Sequence, residues 1–371
     1  METSETYQWL MENGGLVIRY RTATELMPPD KSLDVEALRN DLLQSPLVQK
    51  WLDNLKPPFL LGQKLTRQAE FTRASMEIHG AKDIALENVL GKLTDFGLKK
   101  GVPELDRRVN PYLGWLVETS KKFPHYFFVT WMRHEVADFL ALAGYADEPE
   151  IQKLLKTRLD LIYDFARRGD YDIYTDPKKY KKMPGSFAGR PLIKPELTRN
   201  QIMLPLVYDI VGWGAYLNSV TDEEALTKAD TVIEWILNEK YQAYPWGYGI
   251  IFDEASSNFW AMGWSIHMPG FSESLNGDLE TQLRVLRLEQ LAHFKAARRH
   301  PWFKADMEHL EQFKTERGAY LFPKEFLPEK PAAYWIVGGK MALEDNPRNK
   351  KKLEVESTFR MARLKKIIER D

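Results

Sequence analysis

The residues best suited to chemistry lie in one aromatic-rich stretch, residues 241–271, which also contains His267. Nine of its thirty-one residues are aromatic, and several Gly and Pro residues interrupt it. Because so many rings in a broken segment cannot share one helix face, they predict the wall of a cavity, with a packed core as the alternative. Histidine exchanges protons near neutral pH, so His267 is a candidate catalytic residue. The candidate substrate-binding residues of this stretch are Trp246, Tyr248, Trp260 and Trp264.

A second group of candidates lies in the long segment 169–198. Asp170 and Asp172 are candidate catalytic carboxylates, since two carboxyl groups in different environments can divide acid and base roles. Tyr171 and Tyr174 beside them are candidate substrate-binding residues, because their rings can stack on a sugar or an isoprenoid. The alternative interpretation is turn formation, which Asp after a helix-ending Gly also favours.

Two further candidates belong to predicted helices. Asp209 interrupts the apolar sequence PLVYDIVGWG, which predicts a buried carboxylate that could donate a proton. His79 and Glu87 border a helix predicted at 84–100, for which Asp83 is a natural N-cap. We favour the capping interpretation there, with a position at the mouth of a cavity as the alternative.

Missing motifs exclude several kinds of chemistry. The chain has no cysteine, which excludes disulfides, zinc–thiolate sites and Fe–S clusters. Its seven histidines include no HxxxH or HExxH pair, so no dedicated metal site is predicted. The P-loop and the GxGxxG dinucleotide motif are also missing. We therefore expect neither a metal nor an organic cofactor.

Composition narrows the possible partners. The net charge is −1, so no basic surplus predicts binding to nucleic acid or anionic lipid. No run of about 18 apolar residues predicts a transmembrane helix, and the N-terminus does not resemble a secretory signal, so a cytoplasmic location is expected by default. A small-molecule ligand or substrate is the expected partner, and no linker divides the chain, which predicts one domain over residues 1–371.

Most of the chain shows the apolar spacing of amphipathic helices, which predicts an all-α fold. The exception lies near 248–264, where YGIIF and NFWAMGW flank DEASS and predict a short β-hairpin. The later helices are predicted at 84–100, 104–119, 126–143, 149–168, 201–218, 222–239, 278–299, 302–315 and 348–370, the last as a solvated amphipathic helix.

Five segments carry a resemblance to a known group of proteins. They are VIRYRTATEL at 17–26 and the segments 79–106, 168–180, 247–271 and 316–366. In these segments the chain resembles bacterial proteins described as prenyltransferase-like or squalene-cyclase-like. The resemblance implies an α/α toroid, in which inner and outer helices surround a central cavity and loops close one end.

The chain also departs from the working members of that superfamily. It lacks the DxDD motif of class II terpene cyclases, the DDxxD motif of class I synthases and the zinc-ligand cysteine of protein prenyltransferases. Three functions stay open. The first is an enzyme or binder that holds an apolar small molecule in a central aromatic-lined cavity and uses carboxylate and histidine acid–base chemistry. The second is a carbohydrate-active hydrolase or lyase acting on an imported oligosaccharide, and the third is a non-enzymatic helical scaffold.

Overall fold

Most of the chain is helical, as its apolar spacing predicts, and a small four-stranded sheet accompanies the helices. The computed structural model describes residues 3–30, 32–57, 77–122, 127–180, 183–199, 201–253, 257–344 and 349–369. The first helices are α1 (Thr3–Asn13), α2 (Leu16–Arg21), α3 (Val35–Gln44), α4 (Pro46–Asn54), α5 (Leu86–Asp95), α6 (Pro103–Lys122), α7 (Phe127–Leu140) and α8 (Pro149–Ala166). The others are α9 (Val207–Ser219), α10 (Glu223–Ile236), α11 (Glu239–Gln242), α12 (Gly277–Leu291), α13 (Lys295–Arg299), α14 (Pro301–Glu311) and α15 (Lys352–Ile368).

The sheet contains the predicted hairpin. Its strands are β1 (Tyr174–Thr175), β2 (Leu192–Ile193), β3 (Gly249–Asp253) and β4 (Asn258–Met262), in the order β1-β2-β3-β4. The β3 and β4 strands pair antiparallel, whereas β2 pairs parallel to β3. The sheet therefore joins the two long segments that the sequence singled out as irregular.

Five helices contact one another in succession. Helix α5 packs against α7, α7 against α9, α9 against α12, and α12 against α15. A π-helical turn (Thr22–Leu26) follows α2 and contacts α15. Arg21, at the end of α2, donates a hydrogen bond to the carbonyl of Asp95 at the end of α5. All ten residues of α5 are buried, so this helix lies wholly inside the protein.

Helix α5 is shorter than predicted at both ends. Gly97 adopts the left-handed conformation (φ 85°), which favours glycine and ends the helix before the Lys99-Lys100-Gly101 sequence that was expected to end it. At the other end the expected N-cap is wrong. Ala85 occupies the cap position, and the Asp83 carboxylate instead pairs with the ammonium groups of Lys50 and Lys340.

The expectation of a solvated C-terminal helix is also wrong. Residues 355–361 of α15 are all buried, and Arg360 is fully enclosed. Its guanidinium donates to Glu289 (2.8 Å), Asp95 (3.3 Å) and the carbonyl of Met341 (2.6 Å). These contacts tie α15 to α5 and α12. Among the described helices, none is long and apolar enough to cross a membrane.

Candidate functional site

Four polar side chains from separate parts of the chain converge on one point. The Nδ1 atom of His79 lies 3.0 Å from Glu87 Oε1, 3.3 Å from Glu135 Oε1 and 3.0 Å from Tyr208 Oη. Glu87 belongs to the first turn of α5, Glu135 to α7 and Tyr208 to the first turn of α9. We call these four residues the His79 cluster.

Local hydrogen bonds fix the segment that carries His79. The backbone N–H of Gly80 donates to Glu87 Oε1 (2.8 Å), which places His79 over the start of α5. Asn88, one residue along the helix, donates to the carbonyls of Gly80 (2.7 Å) and Lys82 (2.8 Å). Tyr208 Oη donates to Glu87 Oε2 (3.0 Å) and so links α9 to α5. The cluster is therefore held by packed helices and not by loop contacts alone.

Aromatic rings enclose the exposed side of the cluster. The His79 ring lies 5.1 Å from Trp131 and 5.4 Å from both Trp264 and Tyr334, measured between ring centroids. Trp264 and Tyr334 also contact each other at 4.6 Å. The His79 side chain keeps 20% of its surface exposed, whereas Glu87 and Glu135 are buried. Three aromatic rings thus border the partly exposed His79 side chain.

Trp264 is held in an unusual backbone conformation. Its φ of 72° lies in the left-handed region, which costs a bulky residue about 1–3 kcal/mol. Its carbonyl accepts a hydrogen bond from the backbone N–H of Val207 (2.9 Å), the first residue of α9. Strain of this kind persists where surrounding contacts impose it, and it is concentrated at binding sites. The contact fixes the Trp264 ring next to His79 and Tyr208.

Burial sets the charges in the cluster. It raises the pKa of Glu135 to about 7, although the neighbouring His79 opposes the shift. Burial lowers the pKa of His79, but the carboxylates of Glu135 and Glu87 outweigh it and hold that pKa well above its usual value. Burial, and then Glu87, raise the pKa of Tyr208, which keeps the phenol neutral as a hydrogen-bond donor. Neither carboxylate oxygen of Glu135 has a well-formed hydrogen bond within the described part of the chain.

A buried ion pair lies beside the cluster. Arg158 donates to both carboxylate oxygens of Asp209 (2.8 and 3.0 Å) and to the carbonyls of Leu204 (2.9 Å) and Ile202. Asp209 also accepts from the backbone N–H of Leu206 (2.7 Å), which caps α9. Asp209 is buried, as predicted, and both of its oxygens are engaged. Its role as a proton donor stays a prediction.

Two cavities lie at different positions along the helices of the succession from α5 to α15. The first has a volume of about 20 Å³, enough for about one water molecule, and is lined by Glu135, Asp138, Arg158, Tyr208 and Asp209 among others. The second has a volume of about 320 Å³. Its lining includes the later parts of α5, α9 and α12 and the π-helical turn (Ala141–Tyr145) after α7, with Thr94, Leu142, Ala215, Gln290, Trp335 and Arg363 among its residues.

The predicted aromatic residues divide between the site and the packed interior. Of the six aromatic residues predicted to bind substrate, Trp264 is the one whose ring contacts the His79 cluster. Tyr248 is fully buried and shares a 2.5 Å hydrogen bond with Tyr241. The remaining four are partly buried: Trp246 packs near His267 (5.8 Å), Trp260 lies on β4 opposite Ile251, Tyr171 stacks on Trp235 (5.1 Å), and Tyr174 donates to the Tyr248 carbonyl (2.8 Å).

The predicted loop carboxylates make contacts typical of turns. Asp170 and Asp172 are both exposed, and Asp170 Oδ1 accepts from the backbone N–H of Asp172 (2.8 Å). Lys194 donates to the Asp172 carboxylate (2.8 Å). These contacts agree with the turn-forming interpretation, and a catalytic role for either residue stays a prediction.

His267 is fully buried among aromatic side chains. Its ring lies 5.9 Å from that of Tyr241, and its Nδ1 atom lies 2.8 Å from Ser272 Oγ. Ser272 donates its hydroxyl proton to the carbonyl of Gln242 (2.7 Å), so its oxygen accepts from His267 Nδ1–H. Burial, and then the positive charge of Arg287, lower the pKa of His267 to about 4. His267 is therefore neutral in the folded protein near pH 7.

The lowered pKa of His267 predicts that the protein loses stability in mild acid. The unfolded chain protonates this residue below about pH 6.5, whereas the folded protein resists protonation down to about pH 4. The contribution of neutral His267 to the free energy of unfolding is thus complete above pH 6.5, and it decreases by up to about 3 kcal/mol as the pH falls to 4. We expect urea unfolding of His267→Asn, which keeps an N–H donor for Ser272, to show a shallower decrease over this range. An identical decrease in both proteins would contradict the assignment.

Sequence reasoning identified part of the His79 cluster. The sequence offers His79 and Glu87 a place at a cavity mouth as the alternative to capping, whereas no motif marks Glu135 or Tyr208. The available signal for Glu135 is its place, with Asp138, in the apolar helix FFVTWMRHEVADFLALA, since buried carboxylates are rare without a partner or a role. No family model matches the chain, and no curated protein or solved structure is significantly similar to it. The resemblance to prenyltransferase-like and squalene-cyclase-like proteins therefore stays a prediction.

Proposed function

We propose that the protein is an enzyme that acts on an apolar or partly apolar small molecule beside the His79 cluster. The supporting observation is that an imidazole, two buried carboxylates and a phenol converge within a wall of Trp131, Trp264 and Tyr334. A surface that is mostly aromatic, with polar atoms at one point, is typical of small-molecule sites. The polar atoms orient the ligand and exchange protons with it, and the rings exclude water.

We further propose that the helices form an α/α toroid. The succession of contacts from α5 through α7, α9 and α12 to α15 returns to α2 through the turn at Thr22–Leu26. This order supports a closed ring with α2, α5, α7, α9, α12 and α15 on the inside. The starts of α5 and α9 then lie at the end of the ring that carries the His79 cluster. A closed ring favours a pocket over the open concave surface of a scaffold.

The test of this function is ligand retention by variants of two tryptophans. Trp264→Ala removes a ring that contacts His79, whereas Trp260→Ala removes a partly buried ring on β4 from the same aromatic stretch. We expect a small molecule to co-purify with the wild type and with Trp260→Ala, as detected by native mass spectrometry. Loss of one aromatic contact of about 1.4 kcal/mol predicts about tenfold weaker binding by Trp264→Ala. Equal retention by both variants would contradict a site at His79.

A carbohydrate substrate is the second candidate. Ligand atoms of Glu87 and Glu135 lie within 4.8 Å of each other, which is closer to the roughly 5–5.5 Å carboxyl separation of retaining glycosidases than to that of inverting enzymes. Aromatic rings also bind sugars. Titration of tryptophan fluorescence with a C15 isoprenoid alcohol and with a neutral trisaccharide separates the two candidates. We expect the isoprenoid alcohol to quench the wild type and the trisaccharide to have little effect, and the reverse result would favour the carbohydrate.

A further inference from the structure

The His79 cluster contains nitrogen and oxygen atoms close enough together to bind one cation. One atom each from His79, Glu87 and Glu135 can be chosen so that all three lie within 4.8 Å of one another. We propose that these three residues bind one divalent transition-metal ion. The proposal deepens the proposed function, because it gives the same site a resident cation, but it does not depend on which organic ligand the site takes. The histidine spacing predicted no metal site because only one histidine takes part.

The distances fit a coordination shell. Nitrogen and oxygen ligands lie about 2.0–2.2 Å from such an ion, which places neighbouring ligand atoms about 3.0 Å apart in octahedral geometry and about 3.4 Å apart in tetrahedral geometry. His79 Nδ1 lies 3.0 Å from Glu87 Oε1 and 3.3 Å from Glu135 Oε1. Two sides of the triangle of ligand atoms therefore match such a shell, and the third side, between the two carboxylates, is at most 4.8 Å. Three protein ligands leave the remaining positions free for water or substrate.

Glu135 supplies an independent reason for a cation. Its side chain is 1% exposed, and neither of its oxygens has a well-formed hydrogen bond among the described residues. The nearest donor is His79 Nδ1, whose single N–H also lies 3.0 Å from Glu87 and from Tyr208. One N–H cannot donate to both oxygens of Glu135, and a buried carboxylate oxygen without a partner is costly. A cation bound by both carboxylates and the imidazole removes this conflict.

The surrounding charges point the same way. Four buried carboxyl groups lie in this region: those of Glu87, Glu135, Asp138 and Asp209. The buried cation that lines the adjoining small cavity is Arg158, and both oxygens of Asp209 already bind it. Buried charges require paired charges or metal ions. The four carboxyl groups outnumber the two basic groups that pair with them, His79 and Arg158, and this surplus favours a divalent ion.

Outer contacts are arranged to orient the ligands. Tyr208 Oη donates to Glu87 Oε2, and the backbone N–H of Gly80 donates to Glu87 Oε1. Hydrogen bonds of this kind fix the direction of a metal-binding carboxylate. The His79 side chain keeps 20% of its surface exposed, which gives the ion access to the site. The free coordination positions then face the same aromatic wall that the organic ligand contacts.

The ligand set selects a class of ion. Mg²⁺ and Ca²⁺ prefer oxygen ligands, and imidazole nitrogen favours Zn²⁺, Fe²⁺ and similar ions. One imidazole with two carboxylates therefore fits Zn²⁺, Mn²⁺ or Fe²⁺. Three protein ligands with open positions are typical of catalytic sites, whereas structural zinc sites have four protein ligands.

The test is metal binding by tag-free full-length protein after dialysis against a chelator. We expect titration with Zn²⁺ and with Mn²⁺, followed by calorimetry, to show one ion bound per chain and weaker binding of Mg²⁺ and Ca²⁺. Glu135→Gln and Glu87→Gln should each weaken binding by more than the roughly 10–100-fold that loss of an outer contact causes. Tyr208→Phe, which removes an outer contact only, should weaken binding by about tenfold to 100-fold.

Glu356→Gln is the matched control. Glu356 is a buried glutamate of α15 that accepts from the backbone N–H of Leu343 (2.9 Å), and glutamine keeps an accepting oxygen. We expect this variant to bind the ion like the wild type. Less than one ion per chain, or binding that Glu135→Gln and Glu87→Gln leave unchanged, would overturn the proposal. The experiment contains no organic ligand, so a metal-free protein that still retains a small molecule would overturn this inference and leave the proposed function standing.

Discussion

Replacing Arg158 with methionine is expected to lower the free energy of unfolding by about 3–5 kcal/mol, because the change removes one partner of a buried ion pair. The Arg158 side chain is 5% exposed and that of Asp209 is 2% exposed. Methionine fills much of the same volume but donates no hydrogen bonds. The Asp209 carboxylate would lose two hydrogen bonds, and the carbonyls of Leu204 and Ile202 would each lose one.

The location of Arg158 adds to this cost. Burial, and then the charge of Asp209, raise the pKa of Asp138 well above its usual value, and Arg158 opposes that shift. Without the guanidinium, the buried carboxyl groups of Asp138 and Asp209 would lose the positive charge that offsets their repulsion. Lysine at position 158 keeps a charge but cannot donate to both oxygens in a planar fork, so we expect Arg158→Lys to recover only part of the loss.

Urea unfolding measures this prediction. Arg167→Met is the matched control, because Arg167 pairs with Asp164 at the surface, where both side chains are 57% exposed. Such pairs contribute little, so the control should change the free energy of unfolding by less than about 1 kcal/mol. Adding Asp209→Leu to Arg158→Met removes the uncompensated charge and should restore part of the stability. A loss below 1 kcal/mol for Arg158→Met would show that water or another group compensates Asp209.

The helices could be predicted because their signals are local. Helix α8 (Pro149–Ala166) agrees with the prediction at 149–168, since Pro149 suits the first helical position and Gly169 follows the end. Helix α5 was predicted too long because the Lys99-Lys100-Gly101 sequence is also a suitable ending. The choice between Gly97 and Gly101 depends on tertiary contacts, since Gly97 lies close to the side chains of Arg21 and Tyr20.

The site could not be predicted in the same way. His79 and Tyr208 are 129 positions apart, and only the packing of α5, α7 and α9 brings them together. His267 was favoured because aromatic residues surround it in the sequence, and those residues enclose it in the interior. Aromatic density predicts burial as readily as it predicts a cavity wall. Trp264 differs from its aromatic neighbours through a left-handed backbone and a contact with α9, which no sequence pattern reveals.

One residue connects the stability of the interior to the shape of the site. Trp335 is 4% exposed, and its indole packs 5.8 Å from the ring of Phe139 and directly against Gly91 of α5. Its backbone N–H donates to Asn88 Oδ1 (2.7 Å), and its indole N–H donates to Asp95 (3.2 Å). The preceding residue, Tyr334, lies against His79 and Trp264. Trp335 therefore anchors the segment that supplies part of the aromatic wall.

Trp335→Ala is accordingly expected to lower the free energy of unfolding by about 3–5 kcal/mol. The substitution would enlarge the cavity of about 320 Å³ that Trp335 lines and would leave Asp95 without the indole donor. Trp335→Phe keeps most of the packing and loses only the hydrogen bond, so we expect a smaller loss of about 1–3 kcal/mol. Urea unfolding measures both values.

Trp335→Ala should also weaken ligand retention at the His79 cluster, because Tyr334 loses its anchor. Gly91→Ala tests the same connection by displacing the Trp335 ring instead of removing it. A Cβ atom at Gly91 would lie 2.6 Å from the Trp335 ring, so the ring must move, at a cost of about 1–3 kcal/mol. Native mass spectrometry of Trp335→Ala and Gly91→Ala should then show reduced retention of the co-purified molecule, with Trp335→Phe close to the wild type. Full retention by both destabilised variants would show that Tyr334 is positioned independently of Trp335, and that the interior and the site are not coupled through this segment.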